Sequence, residues 1–178
     1  MNKNKAIGII GSPRESGNSA ILTKELLSNL NEFLNIESIF LKDYELNPCD
    51  ECYYCAQNEG CSIDDDMFQL YEKLKSAEVI ILSSPIFMGG ITSRLRMFME
   101  RTWHLRKGQL KDKIGTYIIV GRRDIGSGAN EMEEYLSRIK VRKLPGVLGF
   151  ALKEGEISED LEAFNNIQRL KNQIIDLL

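Results

Sequence analysis

The sequence predicts an α/β fold in which helices cover both faces of one parallel sheet. Short apolar runs alternate with amphipathic stretches five times along the 178 residues, without an internal repeat or a linker. Val79–Leu82 and Ile114–Val120 are apolar throughout, as expected of parallel strands that are buried on both faces. We therefore expect residues 1–178 to form a single doubly wound domain with five strands in the order 2-1-3-4-5.

Each element follows from its local pattern. Strands are predicted where short apolar, mostly β-branched runs occur, at Lys5–Ile10, Ile36–Leu41, Val79–Leu82, Ile114–Val120 and Gly146–Ala151. Helices are predicted where apolar residues recur at helical spacing, at Ala20–Leu30, Asp64–Ser76, Ile91–Arg106, Glu131–Lys140 and Ser158–Leu178.

Composition narrows the class of protein. A net charge of −3 without a dense run of Lys and Arg argues against nucleic acid or an anionic membrane surface as the main partner. No apolar run approaches the length of about 20 residues that spans a bilayer. Met1–Lys5 leads into a strand without a visible signal peptide, so we expect a cytoplasmic protein. In that reducing setting the four cysteines favour metal ligation or redox chemistry over disulfides.

The segment 11–19, Gly-Ser-Pro-Arg-Glu-Ser-Gly-Asn-Ser, joins the first strand to the first helix. A Gly- and Ser-rich turn at this place directs free backbone N–H groups and a positive helix end at an anion. Gly17 is followed by Asn18 rather than Lys, so the turn lacks the lysine of a nucleotide-hydrolysing P-loop. The turn therefore favours a terminal phosphate that stays intact. The alternative is an ordinary turn with Ser19 or Asn18 as the helix N-cap.

Two further loops follow strands three and four, at 83–90 and 121–128. The first offers a flat apolar surface around Phe87 and then two glycines, which let a backbone approach a planar ring closely. In the predicted strand order these loops lie beside the phosphate turn, where doubly wound folds bind ligands. A ring near Phe87 with its phosphate at 11–19 describes flavin mononucleotide (FMN). The alternative is that residues 85–87 pack under a neighbouring helix.

The four cysteines have the spacing C-x2-C-x2-C-x5-C between Cys49 and Cys61. Compact C-x2-C-x2-C runs are typical of iron–sulfur ligation, whereas zinc sites usually pair two knuckles across a longer spacer. Zinc, a pair of disulfides and unligated thiols are the alternatives.

Three motifs in order, the phosphate turn, the cysteine loop at 48–61 that runs into residues 64–67, and residues 84–90, resemble the iron–sulfur flavoprotein branch of the NAD(P)H-dependent FMN reductases. The resemblance extends from about residue 5 to residue 128. It implies a flavodoxin-like fold, one FMN and one 4Fe–4S cluster per subunit, and a homodimer or homotetramer. By position, the cluster ligands are Cys49, Cys52, Cys55 and Cys61. The FMN-binding residues are Ser12, Arg14, Ser16, Gly17, Asn18, Ser19, Pro85, Ile86, Phe87, Met88, Gly89, Gly121 and Arg122.

The first functional hypothesis is an FMN-dependent oxidoreductase that passes electrons between a 4Fe–4S cluster, FMN and a redox partner, either ferredoxin or NAD(P)H. FMN carries the chemistry, so no catalytic side chain is required. The second hypothesis is a cluster-free NAD(P)H-dependent FMN or quinone reductase. The third is a non-catalytic module that binds a ligand or zinc.

Overall fold

A parallel sheet forms the centre of the computed structural model, which describes residues 4–178; residues 1–3 of the predicted domain lie outside the described part. Its strands are β1 (Lys5–Ile10), β2 (Asn35–Phe40), β3 (Val79–Pro85), β4 (Ile114–Gly121), β5 (Arg142–Lys143) and β6 (Val147–Phe150). The strand order is β2-β1-β3-β4-β5, and β6 also pairs with β4. Every one of these pairings is parallel. The predicted fold class and order 2-1-3-4-5 are confirmed.

The fifth position of the sheet is divided between two short strands. β5 pairs with the start of β4 and β6 with its end. Leu144 N still donates to Gly115 O at 2.9 Å, but the next residue is Pro145, which has no N–H to continue the ladder. The Pro145 carbonyl instead accepts a bond from Thr116 Oγ1 at 3.0 Å. The predicted single strand Gly146–Ala151 is therefore the second half of an interrupted edge.

Residues 4–178 form six α-helices, α1 (Asn18–Leu30), α2 (Tyr54–Gln57), α3 (Met67–Ser76), α4 (Ser93–Arg101), α5 (Gly128–Arg138) and α6 (Leu161–Ile175). Residues alternate between two cores along each strand, because successive side chains point to opposite faces. Ile81 packs with α1 and α6 in one core, whereas Ile80 packs with α3, α4 and α5 in the other. Both faces of the sheet are thus covered, as predicted. None of the helices in residues 4–178 is both long and apolar enough to cross a membrane.

Several element boundaries differ from the sequence prediction. β3 continues through Ser83 and Ser84 to Pro85, in register with the last residues of β4. α3 begins at Met67 rather than at Asp64, because the carboxylates of Asp65 and Asp66 accept bonds from the preceding chain instead of entering the helix. The helix predicted at Ile91–Arg106 ends at Arg101 and continues as the 3-10 turn Trp103–Lys107. The last helix begins at Leu161, where Asp160 Oδ1 caps Ala163 N at 3.0 Å.

Candidate functional site

A cleft of about 680 Å³ lies at the carboxyl edge of the sheet. Its walls come from the segments that follow β1, β3, β4 and β6, because the carboxyl ends of neighbouring parallel strands meet at one edge. Most of the predicted FMN-binding residues line it: Ser12, Arg14, Gly17, Asn18, Pro85, Ile86, Phe87, Met88, Gly121 and Arg122. The predicted residues Ser16, Ser19 and Gly89 lie beside this cleft rather than in its lining.

Segment 11–17 is a tight turn that is folded on its own hydroxyl. The buried Ser12 Oγ donates to Arg14 O at 3.0 Å and accepts from Arg14 N at 3.1 Å. A Cβ at Gly17 would come within 2.6 Å of Ser12 Oγ, so the turn needs glycine there. Ser12 therefore shapes the turn, while the guanidinium of Arg14 projects outward and is about half exposed.

α1 begins directly after this turn, with Gly17 as its N-cap and no side-chain cap. The alternative prediction, in which Ser19 or Asn18 caps the helix, is wrong. Asn18 instead holds the segment after β6, donating to Lys153 O and accepting from Gly155 N, each at 2.8 Å. The first backbone N–H groups of α1 have no partner within the helix, which leaves donors and a positive helix end at the cleft. Ser19 Oγ is buried and has no hydrogen-bond partner in residues 4–178.

A carboxylate occupies the donors of the turn. Arg14 Nη1 donates to Glu154 Oε2 at 3.2 Å, and Ser16 Oγ donates to Glu154 Oε1. These donors lie at the helix N-terminus, where an anion is favoured. Arg14 and Ser16 therefore already donate to a pair of anionic oxygens in this structure. A phosphate monoester would offer them oxygens of the same kind.

The second loop is shorter than predicted and forms a hairpin turn. Phe87 and Gly90 exchange two backbone hydrogen bonds, at 2.9 and 3.1 Å, across Met88 and Gly89. Both turn residues have positive φ, 50° at Met88 and 78° at Gly89, as in a type I′ turn. Met88 is fully exposed and Phe87 about half exposed, so the turn presents apolar surface at the cleft. Residues 85–87 all line the cleft, and Ile86 also packs against the core beside Gly128 at the start of α5, so the alternative of packing at a helix holds for Ile86.

The third loop, 121–128, is locked against the second. Ser127 N donates to Gly89 O at 2.8 Å. A Cβ at Gly126, whose φ is +48°, would lie 1.9 Å from the same Gly89 oxygen. Gly121 is equally constrained, since its Cβ would lie 1.9 Å from Asp124 O. Arg122 follows and lines both the main cleft and an adjoining cavity of about 380 Å³ beside Met88.

Sequence reasoning missed the part of the cleft contributed by the segment after β6. Ala151, Leu152, Lys153 and Glu154 line it. Ala151 N donates to Gly121 O at 3.0 Å, which continues the strand ladder up to the cleft. These residues follow the last predicted strand, and the carboxyl end of that strand lies at the same edge of the sheet as the other loops. That position is the sequence signal by which they could have been predicted to line the cleft.

The cysteine loop is held at its two ends by a buried ion pair. Arg101 and Asp65 have side chains that are 0% and 3% exposed, with Nη1 and Oδ2 at 2.5 Å. Arg101 also donates to Asn47 O at 2.7 Å and to Ile63 O at 3.4 Å, on either side of the cysteines. Burial opposes ionisation of Asp65, but bonds from Arg101 and from the backbone of Asn47 and Met67 outweigh it, so the pKa of Asp65 is lowered. We call this arrangement the Arg101–Asp65 clasp.

The four thiols lie in one neighbourhood but do not converge. Burial, and then the proximity of Cys61, Cys49 and Cys52, raises the pKa of the Cys55 thiol. Cys49 and Cys55 line a common cavity of about 500 Å³, whereas Cys52 Sγ lies 3.1 Å from Ser62 Oγ. Within the part of the chain that the structure describes, no group of three or more His, Cys, Asp or Glu residues is arranged to hold a metal ion. The residue types suit an iron–sulfur cluster, but their arrangement here does not.

Comparison with known proteins agrees with this architecture. A profile of the NADPH-dependent FMN reductase family matches residues 4–151. An iron–sulfur flavoprotein of Methanocaldococcus jannaschii is 44% identical over 119 residues, which are 66% of this chain and 62% of that protein. An iron–sulfur flavoprotein of Archaeoglobus fulgidus is 26% identical over 187 residues, 97% of this chain and 96% of that protein.

A solved structure shares the fold. The FMN-dependent NADH-azoreductase of Bacillus anthracis superposes with a TM-score of 0.69 and covers 96% of this chain and 99% of that one. At 18% identity this likeness shows the fold alone. The family profile covers most of the chain, and relatives named iron–sulfur flavoproteins match it. The chain belongs to the NADPH-dependent FMN reductase family, in its iron–sulfur flavoprotein branch.

Proposed function

We propose that this chain is an FMN-dependent oxidoreductase that binds FMN along the 680 Å³ cleft. The observation that carries the proposal is the anion-binding donor set of Arg14 and Ser16 at one end of a cleft whose other end is apolar. A phosphate at the first end and a ring at the second is the layout of FMN. Membership of an FMN reductase family supports it, as does the fold-related azoreductase, whose structure was determined in complex with FMN.

Different residues along the cleft would bind the phosphate and the ring of FMN. Arg14, Ser16 and the first N–H groups of α1 would hold the phosphate, while the turn at Phe87 and Met88 would form an apolar wall for the ring. Gly121 leaves room for Asp124 O inside the third loop, and Arg122 adds a positive charge to the lining of the cleft. When bound, FMN supplies the transfer of one or two electrons. The chain itself then has to bind and orient, and no acid–base side chain is required.

The reductant is proposed to be NAD(P)H or a one-electron carrier such as ferredoxin. The family description favours a nicotinamide co-substrate. The cavity of about 380 Å³ beside Met88, with Arg122 and Arg123 in its lining, leaves room next to the proposed ring position. A homodimer or homotetramer is part of this proposal.

We further propose that Cys49, Cys52, Cys55 and Cys61 ligate a 4Fe–4S cluster. Their compact spacing and the names of the relatives support the cluster. Because the thiols do not converge in this structure, we assign no step to it. The same observation favours a second candidate function, a cluster-free NAD(P)H-dependent FMN or quinone reductase.

Titration of the protein with FMN and with riboflavin tests the main proposal. Arg14→Gln should raise the Kd for FMN by about tenfold or more, since a charge-assisted hydrogen bond to phosphate is lost. The Kd for riboflavin, which has no phosphate, should not change. Arg138→Gln is the matched control, because Arg138 is an exposed arginine on α5 that pairs with Glu134. A wild-type protein that is colourless and takes up no FMN would contradict the proposal.

Iron and sulfide analysis after anaerobic reconstitution decides between the two candidates. Four irons per chain, lost when Cys52 is replaced by Ser, support the cluster. Flavin without iron, together with oxidation of NAD(P)H, supports the cluster-free reductase.

A further inference from the structure

The segment after β6 crosses the phosphate turn and is fixed at several points. The Asn18 side chain donates to Lys153 O and accepts from Gly155 N, both at 2.8 Å. Glu156 accepts from Leu152 N at 2.9 Å and from Lys153 N at 2.8 Å, which closes the segment into a compact turn. Gly155 has a φ of +85°, a conformation that glycine adopts without strain. The position of Glu154 is therefore set by backbone contacts on both sides of it.

The Glu154 carboxylate bonds the same two side chains to which the phosphate is assigned. Arg14 Nη1 and Ser16 Oγ each donate to one of its oxygens. Ser16 has one hydroxyl proton, so it cannot donate to Glu154 and to a phosphate at the same time, and two anions beside the same Arg14 side chain repel each other. A phosphate that enters must move the carboxylate away.

Moving the Glu154 carboxylate away from Arg14 costs little free energy. The Arg14 side chain is 56% exposed and that of Glu154 is 41% exposed, so the pair is a surface ion pair, whose net strength is small. The fixed segment around it can stay in place while the side chain rotates toward solvent.

We propose that Glu154 is a built-in competitor of the phosphate group and sets the affinity of the chain for FMN. This inference rests on the proposed function. The apparent affinity for a ligand falls by the fraction of molecules whose site is free to receive it. Glu154 therefore makes FMN an exchangeable ligand at the phosphate end, without any contact to its ring.

Glu154→Gln tests the proposal because it keeps the size of the side chain and removes its charge. The Kd for FMN should fall by about two- to fivefold, the range expected when one exposed ion pair no longer competes. Glu154→Ala should act in the same direction. The matched control is Glu15→Gln, since Glu15 lies on the phosphate turn but pairs with Lys42 at 3.1 Å.

Two further ligands test whether Glu154 affects only the binding of the phosphate group and not the binding of the flavin ring. Inorganic phosphate, titrated by calorimetry, should bind Glu154→Gln more tightly than the wild type. Riboflavin, measured by quenching of its fluorescence, should bind both proteins equally.

Three outcomes would overturn the proposal: weaker FMN binding by Glu154→Gln, an equal gain from Glu15→Gln, or an equal gain for riboflavin. A wild type that binds no FMN would instead remove the proposed function. The phosphate titration would then still decide whether Glu154 competes at the anion site.

Discussion

At the scale of single residues, Met88 occupies a backbone conformation that few non-glycine residues adopt. Its φ of 50° places it in the left-handed region, and its side chain is fully exposed. Left-handed backbone costs an L-residue with a Cβ roughly 1–2 kcal/mol. The two Phe87–Gly90 hydrogen bonds and the contact of Gly89 with Ser127 hold the turn in place. The strain falls at the apolar wall of the cleft, where backbone strain is often associated with function.

Met88→Gly should raise the free energy of unfolding by roughly 0.5–1 kcal/mol. Removing the left-handed cost of about 1–2 kcal/mol outweighs the added entropy of the unfolded chain, about 0.4–1 kcal/mol. Urea denaturation measures this change. Gly89→Ala is the reciprocal control: its φ is +78° and nothing lies within 4 Å of an added Cβ, so it should destabilise through the backbone alone. A stability loss with Met88→Gly would contradict the assignment of strain.

At the scale of elements, the Arg101–Asp65 clasp joins α4 to both ends of the cysteine loop. Arg101 Nη1 and Nη2 each bond a carboxylate oxygen of Asp65, at 2.5 and 3.0 Å, and both residues also bond the backbone of the loop ends. Segment 47–65 otherwise has one short helix, α2. The clasp therefore fixes where the cysteine loop begins and ends.

Asp65→Asn should lower the free energy of unfolding by about 3–5 kcal/mol, because it leaves the Arg101 charge buried without a counter-charge. Asp64→Asn, at an exposed neighbour, should stay within about 0.5 kcal/mol of the wild type. Urea denaturation followed by circular dichroism compares the two. Equal effects of both substitutions would show that the clasp contributes little.

The clasp also predicts a loss of stability in acid. The pKa of Asp65 in the folded chain is below its ordinary value of 3.8, so the folded state favours the ionised carboxylate. Its contribution is present above that ordinary value and is lost as the pH falls through the lower folded pKa. As the pH falls below about 4, the wild type should therefore lose more stability than Asp65→Asn. Parallel curves for the two proteins would rule out this linkage.

At the scale of the whole molecule, the cleft depends on loops from different strands that touch one another. Gly89, after β3, receives the bond from Ser127, before α5. Ala151, after β6, donates to Gly121 at the end of β4. Asn18 connects the start of α1 to the segment after β6. Through these hydrogen bonds the four segments that line the cleft hold one another in place, so a change in one segment should affect the others.

Gly126→Ala should disturb this arrangement. Its Cβ would lie 1.9 Å from Gly89 O, so the second and third loops would have to separate. We expect the Kd for FMN to rise about tenfold, equivalent to about 1.4 kcal/mol of lost contact. Gly108→Ala is the control, since Gly108 also has positive φ, +118°, but nothing within 4 Å and a place before β4, at the opposite edge of the sheet. An unchanged FMN affinity in Gly126→Ala would show that the two loops act independently.

The sequence predicted the fold because its signals are local. The apolar runs at β3 and β4 and the Gly- and Ser-rich turn at 11–17 are readable from neighbouring residues alone, and the strand order follows from the doubly wound pattern. The prediction ended β3 too early because Ser83 and Ser84 are polar. Tertiary contacts satisfy them instead: Ser83 Oγ bonds Ser19 O at 3.1 Å, and Ser84 Oγ accepts from Thr92 N at 3.0 Å.

The sequence by itself determined the family, the layered sheet and the loops that meet at its carboxyl edge, because each depends on patterns within a few residues or on spacing within one motif. Only the tertiary structure decided that Glu154 lies on Arg14 and Ser16, and that Arg101 pairs with Asp65 beneath the cysteine loop. Glu154 is 140 residues from Arg14, and Arg101 is 36 from Asp65. Pairings between residues so far apart are fixed by how the elements pack, and no local pattern in a single sequence records them.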